Sequence, residues 1–537
     1  MTEVKAVDNA GLGLYATKAY KAGEIILQET PLIVFAPKKP EQVAAVRNQF
    51  QNIKGDKTIS QSRSSAIYDL SIPATIEDDQ KHEFRGMLLA AASYALVEDD
   101  AIKAKVQTLY APTTNTNTCN KYENEVVSLS EDVISFLKRQ VQPDTKLHNL
   151  VHKSTDECQK IMLIWSCNAF KGGYLYETTS RINHSCDFNA VVSTDAFSNN
   201  DEEQIIRAAS NIQQGEEIHI SYLGSFTYAD YKLRNERLHA EKFFSCECKR
   251  CKRDRSLGDV AGSIPCPNCH PRHGRYLDED IQYDDGEVEV QYCVPCSKEG
   301  DADGKKQKRT YSCSKCGQIN LEETLSSAID KAVERSVSHL DNGLAGQSEI
   351  DDDAGERDTK IELTERLTCL ATSVLGAKHW ATNLLTFVML STKLSGLHAA
   401  MLCKSANANA NANANGGDSS KKEKEEDEAE LMNEIAECID SLERVISYIK
   451  SLNLQSHFGH LVGNVSVGVG RVLVGFGDVK SMKYGSTFVC GVFDEYFKLG
   501  FEGQGMEKVA ETLINAWKRK AEDVDSSSEQ KQKRQKV

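Results

Sequence analysis

Three cysteines fall within six residues, Cys246, Cys248 and Cys251, in the stretch FFSCECKRC (243–251). No other feature constrains the chain as much. Three thiolates at C-x-C-x2-C spacing occupy three corners of a tetrahedron and leave the fourth to come from elsewhere. Cys186, in RINHSCDFNA (181–190), is a candidate for that corner. The chain has 17 cysteines in 537 residues, and ten of them lie from Cys186 to Cys316. The opening MTEVKAVDNA lacks the apolar run of a secretory signal, so a reducing compartment is expected. Paired cysteines there read as metal ligands before disulfides. Cys119, Cys158, Cys167, Cys369, Cys403, Cys438 and Cys490 are scattered, mostly in apolar settings, and read as buried thiols.

CPNC (266–269), CVPC (293–296) and CSKCG (313–317) are three further C-x2-C knuckles. Two knuckles make one ribbon-like zinc site. Cys266, Cys269, Cys313 and Cys316 are the favoured set, because their Pro and Gly contexts suit tight knuckles. Pairing the first knuckle with Cys293 and Cys296 is nearly as good. His270 and His273 offer ligands for a second site built on the spare knuckle.

The length implies more than one domain. No run of 18 apolar residues is present, so no membrane span is expected. A net charge of −15 argues against a bulk surface that grips nucleic acid.

Residues 11–35 read as strand, turn, strand: GLYAT, KAYKAGE and EIILQE. Residues 41–160 have helical spacing in HEFRGMLLAAASYALV and SEDVISFLKRQV, with polar loops between. Short strands return in GYLYE, NAVVST, EQIIRAAS and EEIHISY, the last turned by Gly215 and closed by Tyr222. ADYKLRNERLHAEKFF, from 229, is helical again. Beyond Cys316 nearly everything is helical, which implies a stack of antiparallel helices. The acidic stretch 341–358 reads as a loop, and SANANANANANGGDSSKKEKEEDE (405–427) as a disordered linker.

Taken together, AGLGLYATKAYKAGEIILQETPLI, RINHSC, GEEIHISY and FFSCECKRC resemble the SET domain of protein lysine methyltransferases and its post-SET zinc motif. The helical insertion, CNAF (167–170) and the helical carboxy-terminal half resemble the SMYD type. The insertion holds only Cys119 and Cys158, too few for the two zinc sites of a MYND finger, so none is expected.

The resemblance implies a mixed fold. A SET amino-terminal segment (1–40) is followed by a helical insertion (41–160), a β-rich SET core with a pseudoknot (161–228) and a post-SET zinc motif (229–255). A cysteine-rich zinc segment (256–320) leads into a helical domain (321–404 and 429–517), interrupted by the linker (405–428) and followed by a basic tail (518–537).

The resemblance further implies S-adenosylmethionine as cofactor, contacted by Gly11, Gly13, Asn168, Asn183, His184, Tyr222 and Phe244. The family usually carries a basic residue where Leu12 stands. Tyr222 takes the place of the catalytic tyrosine. Cys186, Cys246, Cys248 and Cys251 take that of a structural zinc site walling the lysine channel. The implied partner is a protein substrate, histone or other, presenting a lysine, with a further protein partner for the helical half. The competing reading is a zinc-stabilised interaction scaffold on a SET fold with weak turnover. KRK (518–520) and KQKRQK (531–536), split by a polar spacer, read as a bipartite nuclear import signal, with cytoplasm as a second location.

Overall fold

The computed structural model describes residues 2–7, 11–35, 40–50, 72–112, 121–170, 173–193, 203–269, 291–296, 310–345, 354–394 and 437–452. Cys119, Cys403, Cys490, His270, His273, the linker at 405–428 and the basic tail lie outside these residues. The fold is mixed, as expected, and divides into two compact units. The first comprises Met1–Tyr222 and Asn235–Cys246, the second Leu223–Arg234 and the chain from Glu247 onward.

The first unit carries nine short strands among the described residues. β1 (Thr2–Val7), β2 (Gly11–Ala16), β9 (Glu217–Ile220) and β6 (Asn183–His184) form one sheet in the order β1-β2-β9-β6. β3 (Ile25–Glu29), β8 (Gln204–Ala208) and β7 (Ala190–Ser193) form a second, and β4 (Ile33–Val34) pairs with β5 (Tyr174–Leu175). Within the first sheet β6 runs parallel to β9, with Asn183 opposite His219 and His184 opposite Ile220. RINHSC and GEEIHISY are thereby drawn side by side. Leu14, Ala16, Ile182, Ile206, Ile218 and Ile220 are all but fully buried beneath these strands. The last strand stops at Ile220, so Tyr222 lies two residues past it rather than closing it.

The insertion folds as a helical bundle. Lys81–Leu96, Lys121–Gln140, Lys146–Lys153 and Thr155–Asn168 bury Phe84, Met87, Leu88, Val133, Leu137, Ile161 and Met162 in one core. Side-chain caps set where its shorter helices begin. Asp99 accepts the Ala101 N–H at 2.8 Å, and Thr145 accepts the His148 N–H at 3.1 Å. The last helix runs to Asn168 rather than ending near residue 160, and so delivers the CNAF stretch to the sheet.

In the second unit β10 (Ile264–Pro265), β11 (Tyr292–Pro295), β12 (Thr310–Cys313) and β13 (Gly317–Asn320) form an antiparallel sheet in chain order. Helices Glu323–Ala345 and Ala354–Leu375, with helical residues 380–394 and 437–451, bury Leu375, Trp380, Leu385 and Leu442. Of the stretch 341–358 expected as a loop, 341–345 and 354–358 are helical, and the rest lies outside the described residues. Among the thiols expected to be buried, Cys158 and Cys438 are. Cys369 is exposed, on the outer face of its helix. Fully buried Arg234 pairs with Asp254 at 2.7 Å, and buried Arg250 donates to the Thr227 carbonyl at 2.5 Å. Arg250 also lies 3.5 Å from Asp254, so the two buried cations share that carboxylate, as burial requires.

Candidate active site and metal centres

Tyr222 lies just beyond the parallel strand pair, in the first unit. Its hydroxyl donates to the Ile182 carbonyl at 2.6 Å, and its N–H donates to His184 Nδ1 at 3.0 Å. The second bond fixes the tautomer: Nδ1 accepts, so the proton of the neutral ring sits on Nε2. Nε2 lies 3.3 Å from Cys186 Sγ. His184 is buried, and its ring ties the tyrosine backbone to a cysteine. Burial, then the charges of Glu217 and Cys167, raises the Tyr222 phenol above its ordinary range. It therefore stays protonated and acts as a hydrogen-bond donor, not as a base.

Phe244 completes an aromatic group. Its ring centroid is 6.5 Å from that of Tyr222, edge to face, and 6.0 Å from that of His184. An edge-to-face pair of this kind sets the positive rim of one ring against the negative face of the other. Phe244 is aimed by Phe243, whose φ of 65° swings the chain back from the end of helix Tyr231–Lys242. Such a φ is unusual for a bulky side chain and is a common way to end a helix.

Asn183 donates to Glu217 Oε1 at 2.8 Å and to the Leu12 carbonyl at 3.2 Å. These bonds tie β6 to the start of β2. Gly13 is required there, because a Cβ would stand 2.5 Å from Glu217 Oε1 and 2.6 Å from Val7 Cγ2. Only glycine allows so close an approach. At Gly11, with φ +75°, a Cβ would meet nothing within 4 Å, so its backbone faces open space. Leu12 beside it is 43% exposed. Asn168 is buried, and its Nδ2 donates to the Tyr110 and Ile164 carbonyls, both at 2.8 Å.

A cavity of about 210 Å³ opens over Tyr222, lined by Cys167, Asn168, Phe170, Ile182 and Lys242 among others. Asn168, Ile182 and Tyr222 share this cavity. Gly11, Gly13, Asn183, His184 and Phe244 do not line it; Gly13 lies against Glu217 and Asn183, and Phe244 near the His184 ring.

Sequence reasoning missed three residues here. Glu217 holds Asn183, and Glu29 receives the N–H groups of Glu177, Thr178 and Thr179 at 3.0, 2.8 and 2.9 Å. Lys242 lines the cavity. Glu217 stands inside GEEIHISY, so the motif offered a signal for it. Glu29 and Lys242 carried none.

Two groups of four cysteines could hold a metal ion among the described residues. They are Cys186, Cys246, Cys248 and Cys251, and Cys266, Cys269, Cys313 and Cys316, with sulfurs within 4.8 Å of one another in each group. Four clustered thiols suit tetrahedral zinc and leave no position open for substrate. Both are the favoured sets. Cys293, opposite Cys313 in the β11–β12 ladder, and Cys296 belong to neither.

Residues 11–223 match the family model of the SET domain. The chain is also similar to two curated proteins of Xenopus laevis, N-lysine methyltransferase SMYD2-B at 24% identity and N-lysine methyltransferase SMYD2-A at 26%. Each similarity runs over 163 residues, covering 28% of this chain and 36% of the relative. The chain thus spans little more than a third of the length of the relatives it matches.

Proposed function

From the SET-domain match over residues 11–223 we propose that this chain is a SET protein of the SMYD type and an S-adenosylmethionine-dependent protein-lysine N-methyltransferase. The observation that carries the reading is the Tyr222 hydroxyl, held at 2.6 Å on the Ile182 carbonyl, both residues lining one cavity. The residues present fit such a cofactor. The open backbone at Gly11 admits close approach, and Phe244 offers a ring face for a base. The Nδ2 donors of Asn168 and Asn183 are engaged within the protein, so their contacts to the cofactor fall to the amide oxygens. When bound, S-adenosylmethionine supplies a methyl group on sulfur, a good leaving group.

The protein's work is alignment and exclusion of water. The cavity admits a lysine side chain. Tyr222 and Ile182 give its wall a bonded hydroxyl–carbonyl pair. The lysine nitrogen must arrive as the free base, since its lone pair forms the new bond to carbon. The extra proton then leaves to solvent. In this reading the zinc ions are structural. The substrate is a protein, histone or other, and the basic clusters of the tail direct the chain to the nucleus.

The test is transfer of labelled methyl from S-adenosylmethionine to proteins of a cell extract by the zinc-loaded chain. Tyr222→Phe keeps the ring and removes one positioned hydroxyl, so turnover is expected to fall on the order of 10²-fold while cofactor binding persists. Unchanged turnover would return Tyr222 to a packing role. Exposed Leu12, where the family usually has a basic residue, favours the second reading of a scaffold with weak turnover. No transfer, with cofactor binding intact, would select it.

A further inference from the structure

The cavity over Tyr222 contains a fixed cation. Lys242, at the end of helix Tyr231–Lys242, donates to the Cys167 carbonyl at 3.0 Å and approaches the Ser166 carbonyl at 3.5 Å. These carbonyls belong to the last turn of helix Thr155–Asn168. A helix C-terminus favours positive charge. The ammonium also stands 6.0 Å from the centre of the Tyr222 ring. Among the described residues lining the cavity none is acidic. Tyr222 is a neutral donor, and burial pushes the Cys167 thiol up to about 12, so it too is neutral near pH 8. Glu83 and Glu123, from helices Lys81–Leu96 and Lys121–Gln140, act on Cys167 against the effect of Lys242, and Glu217 of β9 acts on Tyr222, but none of the three lines the cavity.

A second ammonium entering this space meets a like charge with no acidic group on the cavity wall to offset it. We propose that Lys242 is an electrostatic specificity residue of the site, whose fixed charge rejects the substrate amine as ammonium and admits it as the free base. The inference rests on the methyltransferase reading for the identity of its substrate. A like charge several ångströms away in a partly dry site disfavours the protonated amine by about one pH unit or more. The charge thus weakens ground-state binding at neutral pH while raising the reactive fraction of what is bound, two effects of opposite sign.

That opposition supplies the test. The full zinc-loaded chain, Lys242→Met and Lys242→Arg are titrated from pH 7 to 10 with n-butylamine, which copies the end of a lysine, and with 1-butanol as its neutral counterpart. Saturation-transfer NMR reads the affinities. In the wild type and in Lys242→Arg, butylamine affinity should rise about tenfold in all as the pH climbs towards the amine's own pKa, near that of lysine, ~10.4. Butanol affinity should stay flat. Lys242→Met should bind butylamine about tenfold more tightly than wild type at pH 7, with a shallower slope and unchanged butanol binding. Its methyl transfer at pH 8 should be slower. General damage to the pocket would weaken both probes and cannot imitate this split. An unaltered pH slope in Lys242→Met overturns the proposal, and so does failure of both probes to bind wild type near pH 10. A chain showing the split but transferring no methyl group keeps the charge filter and loses the methyltransferase reading. Transfer without the split does the reverse.

Discussion

Glu217 shows how one carboxylate organises the proposed cofactor side of the site. Burial alone would raise its pKa. Hydrogen bonds from His219, Asn183 and Tyr15, together with the charge of His219, more than offset this and hold the group below its ordinary range. The folded chain therefore keeps Glu217 ionised where the unfolded chain would protonate it. Its contribution to stability is complete above about pH 5 and is lost as the pH falls through the lowered folded value. Protonation also weakens Glu217 as an acceptor for Asn183, which ties β6 to Leu12. Cofactor affinity is expected to fall over the same acid window. Isothermal calorimetry between pH 3.5 and 7 checks this, with Glu217→Gln expected to be weaker throughout and to lose the pH step. A variant that retains the step would assign it to another group.

At the scale of elements, the turn before β6 depends on one side chain from β3. Glu29 accepts the backbone N–H groups of Glu177, Thr178 and Thr179 and the Thr179 hydroxyl, the last at 2.7 Å. It thereby closes the 3-10 turn Thr179–Arg181 that delivers Ile182 and Asn183. Replacing a charged acceptor of several donors by an amide is expected to cost roughly 2 kcal/mol in Glu29→Gln. Urea denaturation measures that loss, and a difference below ~0.5 kcal/mol would show the turn to be held by other contacts. The elements differ in how plainly the sequence announced them. β2, β3, β7, β8 and β9 were legible because their apolar residues cluster in short runs bounded by turn residues. β1 was not, because TEVKAV is a polar edge strand whose middle residues are exposed on both faces. RINHSC and GEEIHISY carried the site, but nothing local could announce Glu29 or Lys242. Glu29 acts on backbone 148–150 residues away and Lys242 on carbonyls 75–76 residues away, pairings that only the fold creates.

At the scale of the whole molecule, zinc is expected to govern folding. Neither four-cysteine group comes from a single stretch of sequence. Cys186 joins a cluster that begins far downstream at Cys246, and Cys266 and Cys269 meet Cys313 and Cys316 across β11. Without metal, thiols offer one another only weak hydrogen bonds. With metal, the binding free energy becomes folding free energy, because the unfolded chain has no preformed site. Elemental analysis should therefore find about two zinc ions per chain, four thiolates serving each. Cys248→Ser should remove one and Cys313→Ser the other, and each should lower the melting temperature. Cys293→Ser tests the ligand set directly. Cys293 is buried beside the second group, and burial raises its thiol above the ordinary range. It should therefore remain a protonated core thiol, and its replacement should leave both ions in place while costing only packing. Loss of an ion in Cys293→Ser would move the second site onto the 293–296 knuckle, and a third ion in the wild type would show that knuckle to be a ligand pair in its own right.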